Sequence, residues 1–297
     1  MILGIVFGAT GQVGRELMRA ESSAGAWIGL TRSQVDITDS AAVERALDRA
    51  DPALVVNAAA FTAVDKAESE TDRAFAVNRD GPANLAAACA RRDLPLIHIS
   101  TDYVFDGRKP GAYVEDDPVS PLGAYARSKE AGERAVRERL ERHVILRTAW
   151  VYSPFGQNFV RTMLRLGKER DELGIVADQR GCPTSARSIA GAIAALAHRL
   201  ADRPDRGFGT YHYVDGPETT WHGFATEIFR QATARGARAP RLKAIATADY
   251  PTPAKRPANS VLACGKIRAV HGIAQNRWHD ELSACLDELL LPEEGQG

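Results

Sequence analysis

Tyr125 and Lys129 pair a phenol with an ammonium group four residues further along the chain. Residues at this spacing lie on one face of an α-helix, so the two groups are expected to be neighbours. A nearby cation favours the phenolate and lowers the pKa of a tyrosine from about 10, which makes Tyr125 a usable proton donor and acceptor near neutral pH. Taken alone, the pair also fits an ordinary contact at a helix surface.

The run Ser100-Thr101-Asp102 follows the apolar segment 94–99. If that segment is a strand, the hydroxyl groups emerge at its carboxyl end, where parallel sheets bind their ligands. A hydroxyl at this position also serves to cap a turn, and the run alone does not separate the two roles.

Gly8, Gly11 and Gly14 follow the apolar run 2–7 at the start of the chain. In such a turn the first glycine allows a tight bend, the second lets the backbone approach a pyrophosphate, and the third lets a helix pack close to the strand. The phosphates then face free N–H groups at the positive end of the helix dipole. The spacing predicts a dinucleotide site.

The elements that must position these groups alternate between short apolar strands and amphipathic helices. Continuous hydrophobic strands interleaved with helices predict a parallel sheet covered on both faces, with right-handed crossovers. The predicted fold class is therefore α/β, a doubly wound parallel (Rossmann-type) sheet. The expected strands lie at 2–7, 27–30, 54–57, 94–100 and 144–146, and the expected helices near 12–21, 40–50, 72–92 and 124–142.

The pattern is less regular beyond residue 150. Residues 1–150 are expected to form a dinucleotide-binding domain, with contributions from about 151–215. Residues from about 151–297 are expected to form a smaller substrate-binding lobe over the strand ends. In this half we expect helices at 155–170, 185–200, 221–235 and 278–291, a strand at 211–214 and a frayed tail at 293–297.

The charge balance and the cysteines restrict the class of protein. The 297 residues carry 38 basic and 38 acidic side chains, a balance that argues against nucleic acid or an anionic membrane as the main partner. Four well-separated cysteines form no Cys-x-x-Cys pair and are interpreted as buried thiols in a reducing compartment. The chain has no apolar stretch long enough to span a bilayer and starts with a strand rather than a signal peptide, so we expect a cytoplasmic protein.

Taken together, these features resemble the extended short-chain dehydrogenase/reductase family. The glycine turn, Asn78 within 77–81, the hydroxyl of Thr101 and the Tyr125/Lys129 pair all match its pattern. The resemblance sharpens to the dTDP-4-dehydrorhamnose reductases over residues 8 to about 262. The matching blocks are 11–14, 36–39, 57–68, 100–107, 120–122, 125–129, 147–152, 178–179, 183–184, 256–257 and 259–260.

The resemblance implies a specific reaction and three catalytic residues. The family reduces the C4 ketone of dTDP-4-dehydro-6-deoxy-L-mannose to dTDP-L-rhamnose with NADPH or NADH. Carried over by position, Tyr125 protonates the carbonyl oxygen as hydride arrives at C4. Lys129 tunes Tyr125 and hydrogen-bonds the nicotinamide ribose, and Thr101 stabilises the developing alkoxide by donating a hydrogen bond.

The resemblance also implies cofactor contacts outside the glycine turn. Asp36 and Ile37 are expected against the adenine, although the segment 36–40 also fits an N-terminal helix cap made by Asp39 or Ser40. Arg32 follows the second strand, where a cation would meet a 2′-phosphate, so NADPH is favoured over NADH; a solvated arginine is the alternative. The other expected cofactor contacts are Gly8, Gly11, Gln12, Val13, Gly14, Ala60, Phe61, Thr62, Tyr125 and Lys129.

For the sugar nucleotide, Val64, Asp102 and Trp150 match substrate-contact positions, together with Thr101. The alternative for Trp150 is plain core packing beside the strand at 144–147. Arg256 suits bidentate contact with the diphosphate, and a local salt bridge is the alternative.

Some members of the family form dimers through a metal held by glutamates. Arg187 falls where one of those glutamates would lie, and a cation there would repel Mg²⁺. The sequence therefore predicts no metal and leaves open whether the protein is a monomer or a homodimer.

Three other functions stay in view. A related deoxysugar ketoreductase would share every feature above. A dehydratase or epimerase shares the fold, but dehydratases carry Asp-Glu after the strand-end threonine, whereas Tyr103 follows Asp102 here. The regulatory β subunit of methionine adenosyltransferase also resembles these reductases and serves as a binding partner. The intact set of Thr101, Tyr125 and Lys129 favours an enzyme.

Overall fold

The computed structural model describes residues 3–20, 26–202 and 205–290, so the predicted frayed tail at 293–297 lies outside the described residues. Within these ranges the strands are β1 Leu3–Phe7, β2 Ala26–Leu30, β3 Leu54–Asn57, β4 Leu96–Thr101, β5 His143–Thr148, β6 Val151–Tyr152, β7 Glu172–Val176, β8 Arg180–Gly181, β9 Thr184–Ser185, β10 Gly209–His212, β11 Thr219–Thr220 and β12 Arg241–Ile245. The α-helices are α1 Gln12–Arg19, α2 Ser40–Ala50, α3 Val64–Ala67, α4 Thr71–Phe75, α5 Gly81–Arg91, α6 Ala124–Arg139, α7 Phe159–Glu169, α8 Ala186–Asp202, α9 Trp221–Thr233, α10 Gly265–His271 and α11 Trp278–Leu290.

Six strands form one parallel sheet in the order β10-β5-β4-β3-β1-β2. The order turns back at β1, because the chain first moves outward to β2 and then crosses to β3 on the other side. The doubly wound parallel sheet predicted from the sequence is confirmed. The predicted strand at 211–214 is also present as β10, two residues earlier than expected.

The two faces of the sheet are filled by alternate residues of the same strands. Val6 and Val56 pack with α1 and α8 on one face. Ile5 and Val55 pack with α2, α5 and α6 on the other. All four side chains are fully buried, and each such burial stabilises the fold by roughly 1.5–3 kcal/mol. The strands are therefore apolar without alternation because neither face meets water.

A third apolar cluster lies outside the sheet and gathers segments from the second half of the chain. Tyr152, Val160, Phe224 and Trp278 are its buried centre. Three two-stranded pairs lie outside the main sheet: β7 with β12 and β6 with β9 run parallel, and β8 with β11 runs antiparallel. These pairs were not predicted, because four of their strands have only two residues and the charged residues of β7 and β12 interrupt the continuous apolar run that marks a main-sheet strand.

The predicted helix at 72–92 is wrong in one respect, because the chain forms two helices, α4 and α5, joined by a π-helical turn at Ala76–Asp80. Asn78 lies in this turn, is almost fully buried and makes side-chain hydrogen bonds to a neighbouring loop. A π-turn of this kind redirects side chains from a regular helical course and is frequent at functional sites.

Two helix starts follow from capping. Asp39 accepts a hydrogen bond from the amide of Ala42 and begins α2, which is the cap predicted for this segment. Asn158 accepts from the amide of Arg161 and begins α7, so the helix predicted from 155 starts at Phe159. Residues 153–158 thus form a loop rather than a helical turn, and this loop contacts the glycine turn described below.

All four cysteines are free and buried, and burial raises the pKa of each thiol to about 12. They are inert packing residues, as the sequence predicted. None of the helices in the described ranges is long and apolar enough to cross a membrane.

Candidate active site

The carboxyl ends of the parallel strands meet at one edge of the sheet. Phe7 pairs with Asn57, and Thr101 pairs with Thr148, as the last residues of their strands. A cleft of about 1320 Å³ opens at this edge. Its walls include the loops after β1, β3, β4 and β5, together with parts of α7 and the segment 247–256. Ligands of open α/β sheets bind at this position.

The glycine turn after β1 is built from backbone atoms. Gly8 has a φ of +87°, and a β-carbon there would lie 2.6–2.8 Å from backbone atoms of Ala58 and Ala59. The amide of Gly11 donates to the carbonyl oxygen of Gly8 (3.0 Å), and no side chain in the described ranges caps α1 at Gly11. The first-turn amides of Gln12 and Val13 therefore begin an uncapped helix, which suits a phosphate.

The side chain of Gln12 has a second role that sequence reasoning missed. Its Oε1 accepts hydrogen bonds from Ser153 Oγ (2.9 Å) and Asn158 Nδ2 (3.0 Å). The glycine turn is thereby joined to the loop at 153–158, which leads into α7. No local spacing signals this contact, since the partners are more than 140 residues apart.

Arg32 and Asp36 lie after β2 and form an exposed ion pair, with Arg32 Nε 3.3 Å from Asp36 Oδ2. Asp36 also accepts hydrogen bonds from Thr38, which lower the pKa of its carboxyl. Ile37 is almost fully buried in the core beside Gly81. None of the three lines the main cleft, so their predicted contacts with the adenine and the 2′-phosphate stay predictions.

The loop after β3 carries Ala60, Phe61 and Thr62, of which Ala60 and Thr62 line the cleft. Asn78 clamps the backbone of Phe61, accepting from its amide (2.8 Å) and donating to its carbonyl oxygen (3.0 Å). The amide of Asn78 also donates to Ser128 Oγ on α6. The π-turn thus fixes the β3 loop against the helix that carries Tyr125 and Lys129.

Tyr125 and Lys129 lie on α6 and are both largely buried at the cleft. Lys129 Nζ donates to the carbonyl oxygen of Ile99 (2.7 Å), and burial lowers the pKa of its ammonium group to about 8. Burial raises the pKa of Tyr125 to about 12, opposed by a hydrogen bond with Thr101. The lowered tyrosine pKa expected from the sequence is therefore wrong for this geometry, because desolvation of the phenol is the largest influence on its pKa.

Thr101 and Asp102 end β4 and start a 3₁₀ turn at Asp102–Val104. Thr101 Oγ1 accepts from the amide of Tyr103 (3.2 Å) and donates to Asp102 Oδ1 (3.0 Å). Thr101 Oγ1 therefore both caps the turn and lies at the cleft, so it fills the two roles that the sequence alone did not separate. Asp102 is fully buried, its Oδ2 has no partner in the described residues, and burial raises its pKa to about 7.

A buried ion pair between Glu133 and Arg147 joins α6, the helix of Tyr125 and Lys129, to β5. Glu133, one helical turn beyond Lys129, accepts hydrogen bonds from Arg147 (2.8 and 2.9 Å) and from Ser100 Oγ (2.6 Å). Burial opposes ionisation of Glu133, but the hydrogen bonds and charge of Arg147, the hydrogen bond from Ser100 and the charge of Arg137 together outweigh it and lower the pKa of the carboxyl. Ser100 is therefore a structural residue. The pair of Glu133 and Arg147 was not predicted, because the two residues lie 14 positions apart in different elements.

Arg256 and Val64 lie on the cleft wall opposite the sheet. Arg256 makes a two-pronged contact with Asp65, at 2.8 and 3.1 Å, and this contact lowers the pKa of the Asp65 carboxyl. The local salt bridge left open by the sequence is present, so a diphosphate contact at Arg256 stays a prediction. Asp65 also accepts from the amide of Ala254 and so holds this segment over the cleft.

Trp150 follows β5 and lines the cleft as predicted. Its φ of +47° is unusual for a bulky residue and costs about 1–3 kcal/mol. Its ring stacks on that of Trp221, with centroids 3.5 Å apart and planes inclined by 10°. Trp150 is thus both a wall of the cleft and part of an aromatic stack that continues into the third apolar cluster.

Arg187 lies on α8, at the position where some members of the family are expected to carry a metal-holding glutamate. Arg187 Nε lies 3.1 Å from Glu281 Oε2 beside Glu16, so a cation of the protein already neutralises these carboxylates. No group of three possible metal ligands occurs in the described residues. The donor set does not fit a glutamate-held metal, and no step of the chemistry is assigned to one.

The site does fit a dinucleotide. Backbone atoms crowd Gly8 and Gly14 so closely that any β-carbon would block the turn, and the helix that follows is uncapped. The turn shares one cleft with a hydroxyl, a phenol and an ammonium group at the sheet edge. A doubly wound sheet with this constellation defines the class of extended short-chain dehydrogenases/reductases.

Comparison with known families narrows the class. Residues 2–291 match the family model described as the RmlD substrate binding domain. The chain belongs to the dTDP-4-dehydrorhamnose reductase family, which confirms the resemblance seen in the sequence.

Curated relatives agree with this placement. The chain is 45% identical over 293 residues to the dTDP-4-dehydrorhamnose reductase of Burkholderia thailandensis, covering 96% of this chain and 98% of the relative. It is 43% identical over 287 residues to that of Sinorhizobium fredii, covering 96% and 97%. A crystal structure of the Bacillus anthracis dTDP-4-dehydrorhamnose reductase in complex with NADP superimposes with a TM-score of 0.89 at 34% identity, covering 97% of this chain and 99% of that one.

Proposed function

We propose that the protein is an NADPH-dependent reductase of the C4 ketone of dTDP-4-dehydro-6-deoxy-L-mannose, giving dTDP-L-rhamnose. Full-length relatives of this name and the NADP-bound Bacillus anthracis structure support the proposal. The observation that carries it is the meeting of Thr101, Tyr125 and Lys129 in the cleft that also holds the glycine turn. We place the reaction in the cytoplasm, where free cysteines stay reduced, with a monomer or homodimer as the working form.

In this proposal residues 1–150, with contributions from about 151–215, form the cofactor-binding domain, and residues from about 151–297 form the smaller substrate-binding lobe. The amides of Gln12 and Val13 hold the pyrophosphate, while Gly8, Gly11 and Gly14 keep the backbone close. Ala60, Phe61 and Thr62 line the dinucleotide cleft, Asp36 and Ile37 lie toward the adenine, and Arg32 meets the 2′-phosphate. When bound, the nicotinamide supplies a hydride.

The reacting oxygen of the sugar receives its proton from Tyr125 Oη. A phenol held neutral, with a pKa of about 12, is fully protonated at neutral pH and ready to donate. Thr101 turns its hydroxyl proton from Asp102 Oδ1 to the same oxygen and so stabilises the negative charge that develops there. Lys129, whose ammonium group is held at the cleft by the carbonyl oxygen of Ile99 (2.7 Å), tunes Tyr125 and hydrogen-bonds the nicotinamide ribose.

The sugar nucleotide is proposed to contact Val64, Asp102, Trp150 and Arg256. Asp102 suits a sugar hydroxyl, because its Oδ2 is a buried acceptor without a partner in the described residues. Trp150 offers to the deoxysugar the part of its indole ring that lines the cleft. Arg256 reaches a diphosphate by sharing its guanidinium with Asp65.

The structure favours none of the rival functions. Tyr103 occupies the place at which a dehydratase carries its glutamate base, and its ring packs edge-on against Tyr125 at 5.8 Å. A purely regulatory subunit needs no hydroxyl, phenol and ammonium group buried together at a cleft.

The test is NADPH oxidation with dTDP-4-dehydro-L-rhamnose generated in place by the preceding enzymes, followed by NADPH absorbance. NADH and a UDP-sugar analogue are run alongside. We expect NADPH consumption that depends on the dTDP substrate. Cofactor binding without consumption would reject this substrate and direct the search to another keto sugar, and copurification with a stoichiometric synthetase would favour the regulatory role.

A further inference from the structure

Trp221 lines the cleft together with Trp150 and Phe159. Neither the sequence patterns nor the proposed reaction assigns it a role. It starts α9, where Thr220 caps the helix by accepting from the amide of Gly223 (3.0 Å). Its ring stacks on Trp150 and packs against Phe159 at 4.7 Å between centroids. All three rings lie at the cleft.

The conformation of Trp150 depends on its surroundings. Its backbone is in the left-handed region, which a bulky residue adopts only when neighbouring groups enforce it. Gly181 permits it on one side, since the indole ring of Trp150 lies against this glycine where a β-carbon would overlap the ring. The stacked face of Trp221 is the other large contact, so the ring of Trp150 is held by two segments remote in sequence.

A chain of hydrogen bonds extends this stack to the opposite wall. Trp221 Nε1 donates to Gln179 Oε1 (3.2 Å), and Gln179 Nε2 donates to Thr247 Oγ1 (3.1 Å). Thr247 Oγ1 in turn donates to Asp178 Oδ1 (2.6 Å). Thr247 begins the segment 247–256, which closes the cleft and carries Arg256. One indole thus connects Trp150 with the segment that carries Arg256, two of the residues proposed to touch the sugar nucleotide.

We propose that Trp221 is a positioning residue for the sugar nucleotide: it fixes the ring of Trp150 by stacking and fixes the segment 247–256 through Gln179. The inference rests on the proposed function in so far as Trp150 contacts the substrate. It requires no contact between Trp221 and the reacting atoms. Loss of the stack lets Trp150 leave its strained conformation, and this weakens substrate binding without changing the cofactor side.

The test compares Trp221→Leu and Trp221→Phe with Trp278→Phe. Trp278 is the matched control, because it is a buried tryptophan of the same apolar cluster whose Nε1 donates to the carbonyl of Pro217, away from the cleft. Trp221→Leu is expected to raise the KM for the sugar nucleotide at least about tenfold and to leave the KM for NADPH within about twofold. Trp221→Phe keeps a stacking ring but loses the N–H donor, so its effect is intermediate.

A spectroscopic signature makes the test independent of turnover. Stacked indoles give an exciton couplet in the circular dichroism spectrum, which is expected to vanish in both Trp221 variants and to persist in Trp278→Phe. If the wild type turns over no dTDP-keto sugar, the proposed substrate is wrong, but the couplet and titration with dTDP still test the positioning role. An unchanged KM in Trp221→Leu after loss of the couplet, or an equal rise in both KM values, overturns it.

Discussion

The two sides of the cleft are built from different materials. On the cofactor side, the turn after β1 consists of backbone amides, carbonyls and glycines within seven residues of chain. On the substrate side, the wall consists of the side chains of Trp150, Gln179, Trp221, Thr247 and Arg256. The first four are joined by stacking and hydrogen bonds. A site built from backbone atoms is disrupted by an added β-carbon but not by the exchange of nearby side chains. A site built from side chains changes with each substitution in its wall.

Tyr125 stands between the two sides, and its replacement is expected to have the largest effect. Tyr125→Phe removes the general acid and should lower kcat by about 10²–10⁴-fold with little change in fold. Tyr103→Phe is the control, because its ring packs on Tyr125 but its hydroxyl is assigned no proton transfer. Steady-state kinetics that show full activity in Tyr125→Phe would reject the mechanism.

Gly8→Ala tests whether the cofactor side is made of backbone. The substitution places a β-carbon against Ala58 and Ala59 at a φ of +87°, so the turn must open. NADPH binding should weaken by about five- to 150-fold, since strain of about 1–3 kcal/mol falls on the turn. Gly272→Ala has a similar φ of +70° at the end of α10 but meets nothing closer than 3.9 Å. Titration should show normal NADPH affinity in that control; equal affinity in both variants contradicts the comparison.

Asp102→Asn tests the cost of burying a carboxyl on the substrate side. Burial raises the pKa of Asp102 from 3.8 to about 7, so between these values the folded protein binds more protons than the unfolded chain. The free energy of unfolding therefore falls as pH rises through this window and is constant above it. The variant should be more stable than the wild type at pH 8 by up to a few kcal/mol, and the difference should shrink toward pH 4. Urea unfolding at both pH values measures it; a difference independent of pH would show that Asp102 is not the titrating group.

Arg32→Ala is expected to have the smallest effect, because it deletes an exposed side chain beside a site made of backbone. The KM for NADPH should rise by several-fold to about tenfold, and that for NADH should change less, since only NADPH carries the 2′-phosphate. Arg49→Ala in the last turn of α2 serves as a charge-matched control. A rise of the same size with both cofactors refutes the phosphate contact.

The same contrast explains what could be predicted from the sequence. The six strands of the sheet, the glycine turn and the Tyr125/Lys129 pair are local patterns, and each was found at its place. The stack of Trp150 on Trp221, the clamp of Asn78 on Phe61 and the pair of Glu133 with Arg147 join distant segments. Their partners are chosen by tertiary packing, which no spacing along the chain records. The pKa of Tyr125 was mispredicted for the same reason, because its burial depends on residues outside its helix.

The edge strand β10, the last strand of the main sheet in chain order, has a consequence for synthesis of the protein. β10 pairs with β5, although residues 149–208 separate them in the chain. During translation the nascent chain thus exposes the bare edge of β5 until residue 212 has left the ribosome. An open strand edge is a template for pairing with other chains. Chains truncated between residues 148 and 209 are therefore expected to associate with other chains through the edge of β5.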